Sequence, residues 1–131
     1  MSEGGCLCGA VRYRVSGKPS SSVVCHCTSC RRASGAPTVA WLTVDRAQLQ
    51  ILSGSPTSYR SSPTVIRQFC SRCGTALTYA AAKSPDTVDI TTASLDEPDA
   101  FAPTADVWLE DKVAWQPTDP AIDKFAGSSS G

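Results

Sequence analysis

Seven cysteines fall in three tight groups along 131 residues: Cys6-Leu7-Cys8, Cys25-His26-Cys27-Thr28-Ser29-Cys30 and Cys70-Ser71-Arg72-Cys73. Thiols grouped in this way can bind a metal, exchange as a redox pair or close into disulfides. The count is odd, and the stretch Met1-Ser2-Glu3-Gly4-Gly5 lacks the basic and apolar run of a secretory leader. A cytoplasmic setting is the expectation, and cytosolic thiols stay reduced, so disulfides are the weaker reading. Thiolate clusters in that setting suit zinc, bound tetrahedrally by four ligands.

Seven thiols make one site of four and one of three. Cys70-x-x-Cys73-Gly74 reads as a zinc knuckle, in which the glycine lets the backbone turn without a Cβ clash. A knuckle needs a second pair. Cys6-x-Cys8 supplies it, because two residues one apart in an extended segment project to one face. Four ligands from distant segments describe a structural zinc that carries folding free energy. Cys25, Cys27 and Cys30 remain, and three ligands within six residues leave a fourth position open, the usual design of a catalytic zinc. Arg31 and Arg32 follow directly. They can offset the negative charge of three thiolates or receive a substrate carboxylate, although a solvated turn accounts for them equally well. His26, the single histidine, alternates away from Cys25 and Cys27 and reads as a supporting or partly buried group, not a ligand.

These clusters must be positioned by short strands. Ala10 to Val15 alternates strictly, with Val11, Tyr13 and Val15 on one face and Arg12 and Arg14 on the other. Ser22 to Cys27, Thr38 to Val44, Gln48 to Leu52, Thr64 to Cys70, Thr75 to Tyr79 and Thr87 to Thr92 read as further strands, divided by Gly and Pro signals. Val107 to Leu109 and Val113 to Trp115 flank a Glu-Asp-Lys turn. Helical turns are expected at residues 45–48, capped by Asp45, at Cys27 to Ser34 and at Ile122 to Phe125. The fold class is all-β, one domain over residues 1–126 followed by a Gly/Ser tail at 127–131 read as disordered. Twelve basic and twelve acidic residues give a formal net charge of zero. That balance argues against a nucleic-acid partner, and no apolar run approaches a membrane span.

The chain resembles the family of the glutathione-dependent formaldehyde-activating enzyme, which also contains centromere protein V. The resemblance runs through Gly5-Cys6-Leu7-Cys8-Gly9 with Val11 and Tyr13, then Cys25-His26-Cys27-x-x-Cys30-Arg31-Arg32 with Ser34-Gly35-Ala36-Pro37. It continues through Phe69-Cys70-x-x-Cys73-Gly74-Thr75-x-Leu77, Ala93-Ser94-Leu95-Asp96 and Trp108-x-x-x-Lys112-x-x-Trp115. Carried over position by position, Cys6, Cys8, Cys70 and Cys73 match the structural zinc ligands, and Cys25, Cys27 and Cys30 match those of the catalytic zinc. The implied fold is a small zinc-braced β-tent with short antiparallel sheets. One departure is Asp106, where members often carry histidine in a Pro-x-x-His segment.

The resemblance implies a zinc-dependent carbon–sulfur lyase-type enzyme. It would add a small thiol such as glutathione to formaldehyde or a related electrophile, giving an S-hydroxymethyl adduct, or catalyse the reverse. Arg31, Arg32 or Arg67 could hold the substrate carboxylates, with Arg67 reading more readily as an ordinary exposed strand residue. A binding module is the alternative, with both zinc ions structural and Trp41, Trp108 and Trp115 in the core unless a tryptophan patch is exposed. A redox pair at Cys70 and Cys73 is a third reading, excluded if those thiolates bind metal.

Overall fold

A computed structural model describes residues 1–129. The last two residues of the Gly/Ser tail lie outside that range, while Gly127 accepts a hydrogen bond through its carbonyl from Trp108 N at 2.9 Å. The described residues form eleven strands, one short α-helix and four single-turn 3-10 helices. The strands are β1 (Ser2–Gly5), β2 (Arg12–Val15), β3 (Ser21–Cys25), β4 (Val39–Asp45), β5 (Leu49–Ser53), β6 (Thr57–Ser62), β7 (Val65–Phe69), β8 (Ala76–Ala81), β9 (Thr87–Thr91), β10 (Ala105–Val107) and β11 (Asp123–Lys124). The helix α1 spans Thr28–Ser34. The fold is all-β.

Two sheets form. A three-stranded sheet runs β1-β2-β5, antiparallel throughout. An eight-stranded sheet runs β11-β10-β3-β4-β9-β8-β7-β6, with parallel pairing only where β10 meets β3 and β11. The alternation of β2 determines how the sheets pack. Val11, Tyr13 and Val15 are buried and meet Leu42, Val44, Val88 and Ile90 from the large sheet. The charged face of β2 stays outside, where Arg12 pairs with Asp96 and Arg14 with Glu3. Burying these side chains between the sheets is the main apolar contribution to stability.

The opposite face of the large sheet carries a second, smaller core. Odd-numbered residues of β4 point there, so Trp41 packs with Cys25, Cys30 and Val107, while Leu42 and Val44 face the first core. Strand period two thus sends one strand's side chains to two different jobs.

Several expectations need correction. Val113 to Trp115 forms no strand. The loop there is instead drawn around Lys112, whose Nζ donates to the carbonyls of Val113 and Gln116 at 2.9 and 2.7 Å. Ile122 to Phe125 is not helical, because Asp123–Lys124 pairs in parallel with β10. Thr57–Ser62 adds an edge strand that its polar composition concealed. Trp41 is core at 6% exposure, but Trp108 at 36% and Trp115 at 73% are not. Among the described residues no helix is long and apolar enough to cross a membrane.

Candidate metal centres

The sheets bring the cysteines into two groups. Cys6, Cys8, Cys70 and Cys73 place their sulfurs within 4.8 Å of one another, and so do Cys25, Cys27 and Cys30. Both groups can hold a metal ion.

The four-cysteine group is built from two similar turns. Cys6 and Cys8 lie in the turn between β1 and β2, not in an extended segment. Cys70 and Cys73 lie in the turn between β7 and β8. Each turn closes on a glycine: Gly9 N donates to Cys6 O at 3.1 Å, and Gly74 N to Cys70 O at 2.8 Å. Both glycines have φ of 82°, a left-handed conformation that strains other residues. Cys6 and Cys8 sulfurs are 3.7 Å apart, and Cys8 and Cys70 sulfurs 3.8 Å. Hydrogen bonds favour the thiolate at two of these cysteines, while desolvation and the neighbouring sulfurs push Cys8 up to about 11. Val11 N donates to Cys6 Sγ at 3.2 Å, which lowers the Cys6 pKa. The Thr75 hydroxyl, 3.3 Å from Cys73 Sγ, brings Cys73 down to about 5.

The three-cysteine group straddles a strand-to-helix junction. Cys25 ends β3, Cys27 caps α1 by accepting from Cys30 N at 3.3 Å, and Cys30 is buried within the helix. Negative charge gathers on Cys30. Contacts with Cys25 and Cys27, and then Arg67, hold its thiol far below the ordinary range, while Cys27 and Cys30 push Cys25 up.

Arg67 is not an ordinary exposed strand residue. Its Nη2 donates to Cys30 Sγ at 3.7 Å, its Nε donates to Ser61 Oγ at 3.3 Å, and its guanidinium stacks on Tyr79 at 4.9 Å from the ring centroid. Stacking and the fork of N–H donors are properties of arginine that lysine lacks. Strand register explains the placement: Arg67 pairs with Tyr79, Tyr79 with Asp89, and Asp89 with Thr43, one row across the sheet. Tyr79 meets Trp41 at 5.8 Å between ring centroids. Of the adjacent arginines, Arg32 is exposed, and Arg31 has a buried Nε without a hydrogen-bond partner.

A cavity of about 390 Å³ opens over the three cysteines and is bounded by Trp41, Arg67, Tyr79, Asp89, Trp108 and Asp111. Burial pushes the Asp89 carboxyl up, partly offset by the hydrogen bond from the Thr43 hydroxyl at 2.6 Å. Trp108 stands in the left-handed region, with φ of 58°, which is costly for a bulky residue and recurs where geometry serves a site.

His26 points away from its cysteine neighbours into a buried pair. Its Nε2 lies 2.8 Å from Asp106 Oδ1, and Lys124 Nζ is 3.2 Å from Asp106 Oδ2. Asp106, the departure noted in the sequence, is thus the partner of the single histidine. The pair anchors the segment between Cys25 and Cys27 to β10, assisted by the bond from His26 N to Val107 O at 3.0 Å. The roles of Asp89, Tyr79 and Asp106 escaped the sequence reading because each acts through a partner on or next to another strand, distant in the chain.

Comparisons with known proteins agree with this architecture. Residues 1–111 match the family described as glutathione-dependent formaldehyde-activating enzyme. A Halomonas elongata protein, provisionally named a glutathione-dependent formaldehyde-activating enzyme, is 33% identical over 122 residues, covering 86% of this chain and 78% of its own length. The crystal structure of a Rhodobacter sphaeroides protein has a TM-score of 0.63 at 22% identity, covering 94% of this chain and 98% of that one. That likeness speaks to the fold alone. By the extent of the family match and the identity to a relative matched over 78% of its length, the chain belongs to the glutathione-dependent formaldehyde-activating enzyme family.

Proposed function

We propose that this chain is a zinc-dependent carbon–sulfur lyase-type enzyme that adds a small thiol such as glutathione to formaldehyde or a related electrophile, or catalyses the reverse. One observation carries the reading. The three-cysteine group lines a cavity of about 390 Å³, bounded by Trp41, Arg67, Tyr79 and Asp89. The three-cysteine group therefore has room for a substrate beside it.

On this reading Cys6, Cys8, Cys70 and Cys73 hold a structural zinc, and Cys25, Cys27 and Cys30 hold the second. The donor sets fit, being all sulfur and closely spaced, with N–H or O–H donors on Cys6, Cys27 and Cys73. A zinc ion with three protein ligands and one exchangeable position supplies a place where an incoming thiol gives up its proton.

The chain's own residues do the rest. In the forward direction a bond forms between the thiol sulfur and the carbonyl carbon, and the C=O π bond opens. The S–H proton ends on the new hydroxyl, and nothing is oxidised or reduced. Asp89, on the cavity wall, can take and return that proton, since burial moves its carboxyl toward the working range of a general acid–base group. Arg67 balances the charge on Cys30 and holds its place against Tyr79. Trp41 and Trp108 supply apolar walls that limit water. The reading treats residues 1–126 as one working unit located in the cytoplasm.

Exchange of formaldehyde with glutathione, followed by NMR, tests the proposal. Wild type with two bound zinc ions should exceed the uncatalysed rate, and Cys27→Ser should not. No enhancement by protein that holds both ions refutes the glutathione assignment. A second reading, a non-catalytic zinc-binding module, draws support from Trp115, which is 73% exposed on the loop organised by Lys112. It gains if the rate is absent.

A further inference from the structure

The three-cysteine group can be approached from two sides. A second cavity, about 810 Å³, shares Ser29, Cys30, Trp41, Ser61 and Arg67 with the first. Cys30 and Arg67 therefore stand as a partition with space on both sides. The two spaces differ in charge. Asp89 and Asp111 line the first cavity, and no carboxylate lines the second, where Arg32 is the added cation.

Arg32 is free to receive a ligand. It makes no ion pair or hydrogen bond among the described residues. Its neighbour Arg31 lines neither cavity. Around Arg32 the wall includes Trp41, Tyr59 and Phe69. Gln68, also on that wall, is occupied, accepting from the Thr78 hydroxyl at 3.0 Å and donating to Ser58 Oγ at 3.2 Å. An unpaired guanidinium beside aromatic surface is a receptor for a carboxylate, which its planar donors match in geometry.

We propose that the second cavity is the carboxylate subsite of the thiol substrate. The thiol lies across Cys30, with its sulfur at the three cysteines and a carboxylate beyond the sulfur on Arg32. Its amino-bearing end lies in the first cavity beside Asp111. The inference rests on the thiol reading above and adds an orientation and a selectivity to it. The enzyme prefers thiols that carry an anion on the Arg32 side, as glutathione does in the carboxylate of its glycine.

Isothermal titration of the zinc-loaded full chain tests this with two thiols, glutathione and its glycine ethyl ester, which differ by that one charge. Wild type should bind glutathione about fivefold more tightly than the ester, the scale of one solvent-exposed ion pair. Arg32→Gln should bind both with the wild-type affinity for the ester. The ester comparison in wild type needs no variant, and metal content with circular dichroism verifies that Arg32→Gln is intact. Equal affinities in wild type, or a gap that Arg32→Gln leaves in place, overturn the subsite while leaving the thiol reading standing. Binding of neither thiol overturns both.

Discussion

Replacing Arg67 with glutamine should weaken metal binding at the three-cysteine group alone. A zinc ion on three thiolates carries a net formal charge of minus one, and Arg67 is the guanidinium that touches the cluster, 3.7 Å from Cys30 Sγ. A unit charge pair at that distance amounts to about 4–5 kcal/mol at an effective dielectric of about 20. The charge is shared by three sulfurs, and a half-buried guanidinium gives up hydration to make the contact, so much of this is lost. What remains should be about 1.4–2.7 kcal/mol, or ten- to hundredfold in affinity, the range seen when groups around a ligand shell are removed. Competition with a chromophoric chelator measures it. Wild type should release zinc in two phases, and Arg67→Gln should shift only the weaker. Arg67→Lys should fall between, because it keeps the charge but loses the stacking on Tyr79. Cobalt substitution gives a second readout, since loss of an N–H···S bond should move the thiolate charge-transfer band to longer wavelength. Unchanged release, or an equal shift of both phases, would refute the electrostatic argument.

Cys6→Ser and Cys73→Ser should unfold or aggregate the protein, because the four-cysteine group joins the two sheets, whereas Cys27→Ser should stay folded with one metal fewer. Thermal melts and elemental analysis compare them, and equal loss of fold would make the second group structural as well. Asp89→Asn separates stability from function. Burial raises the Asp89 carboxyl above its ordinary 3.8, so the stability linked to this group is complete below that pH and is lost as pH rises through the folded value. Asparagine keeps the acceptor for Thr43 and cannot ionise. The variant should melt higher than wild type at pH 7, with the difference shrinking only as pH falls through the folded value toward 3.8, while formaldehyde exchange slows at least about tenfold. A lower melting temperature at pH 7 would show that the carboxylate is stabilising and refute the assignment.

The all-β class was legible in the sequence because β2 alternates and because Gly and Pro signals divide short β-branched runs. The grouping of cysteines four and three was legible because closely spaced pairs leave few ways to share an ion, and Gly74 marked the turn of one pair, although the other pair, read as extended, also lies in a turn. Local chemistry of this kind needs only neighbours in the chain. The surroundings of the three-cysteine group were not legible. Arg31 and Arg32 adjoin Cys30 in sequence, yet the cation on its sulfur is Arg67, 37 positions away. Asp89 reaches the cavity only through its register with Tyr79 and Thr43. Asp106, 80 positions from His26, meets it because β10 lies beside β3. Trp108 and Trp115 looked like core by type and proved exposed, since hydrophobicity states a preference and the space inside two packed sheets decides which side chains are accommodated. Which residues adjoin the metal-binding thiols follows from strand order and register. These are collective outcomes of burying both faces of a twisted sheet, and no window of sequence contains them.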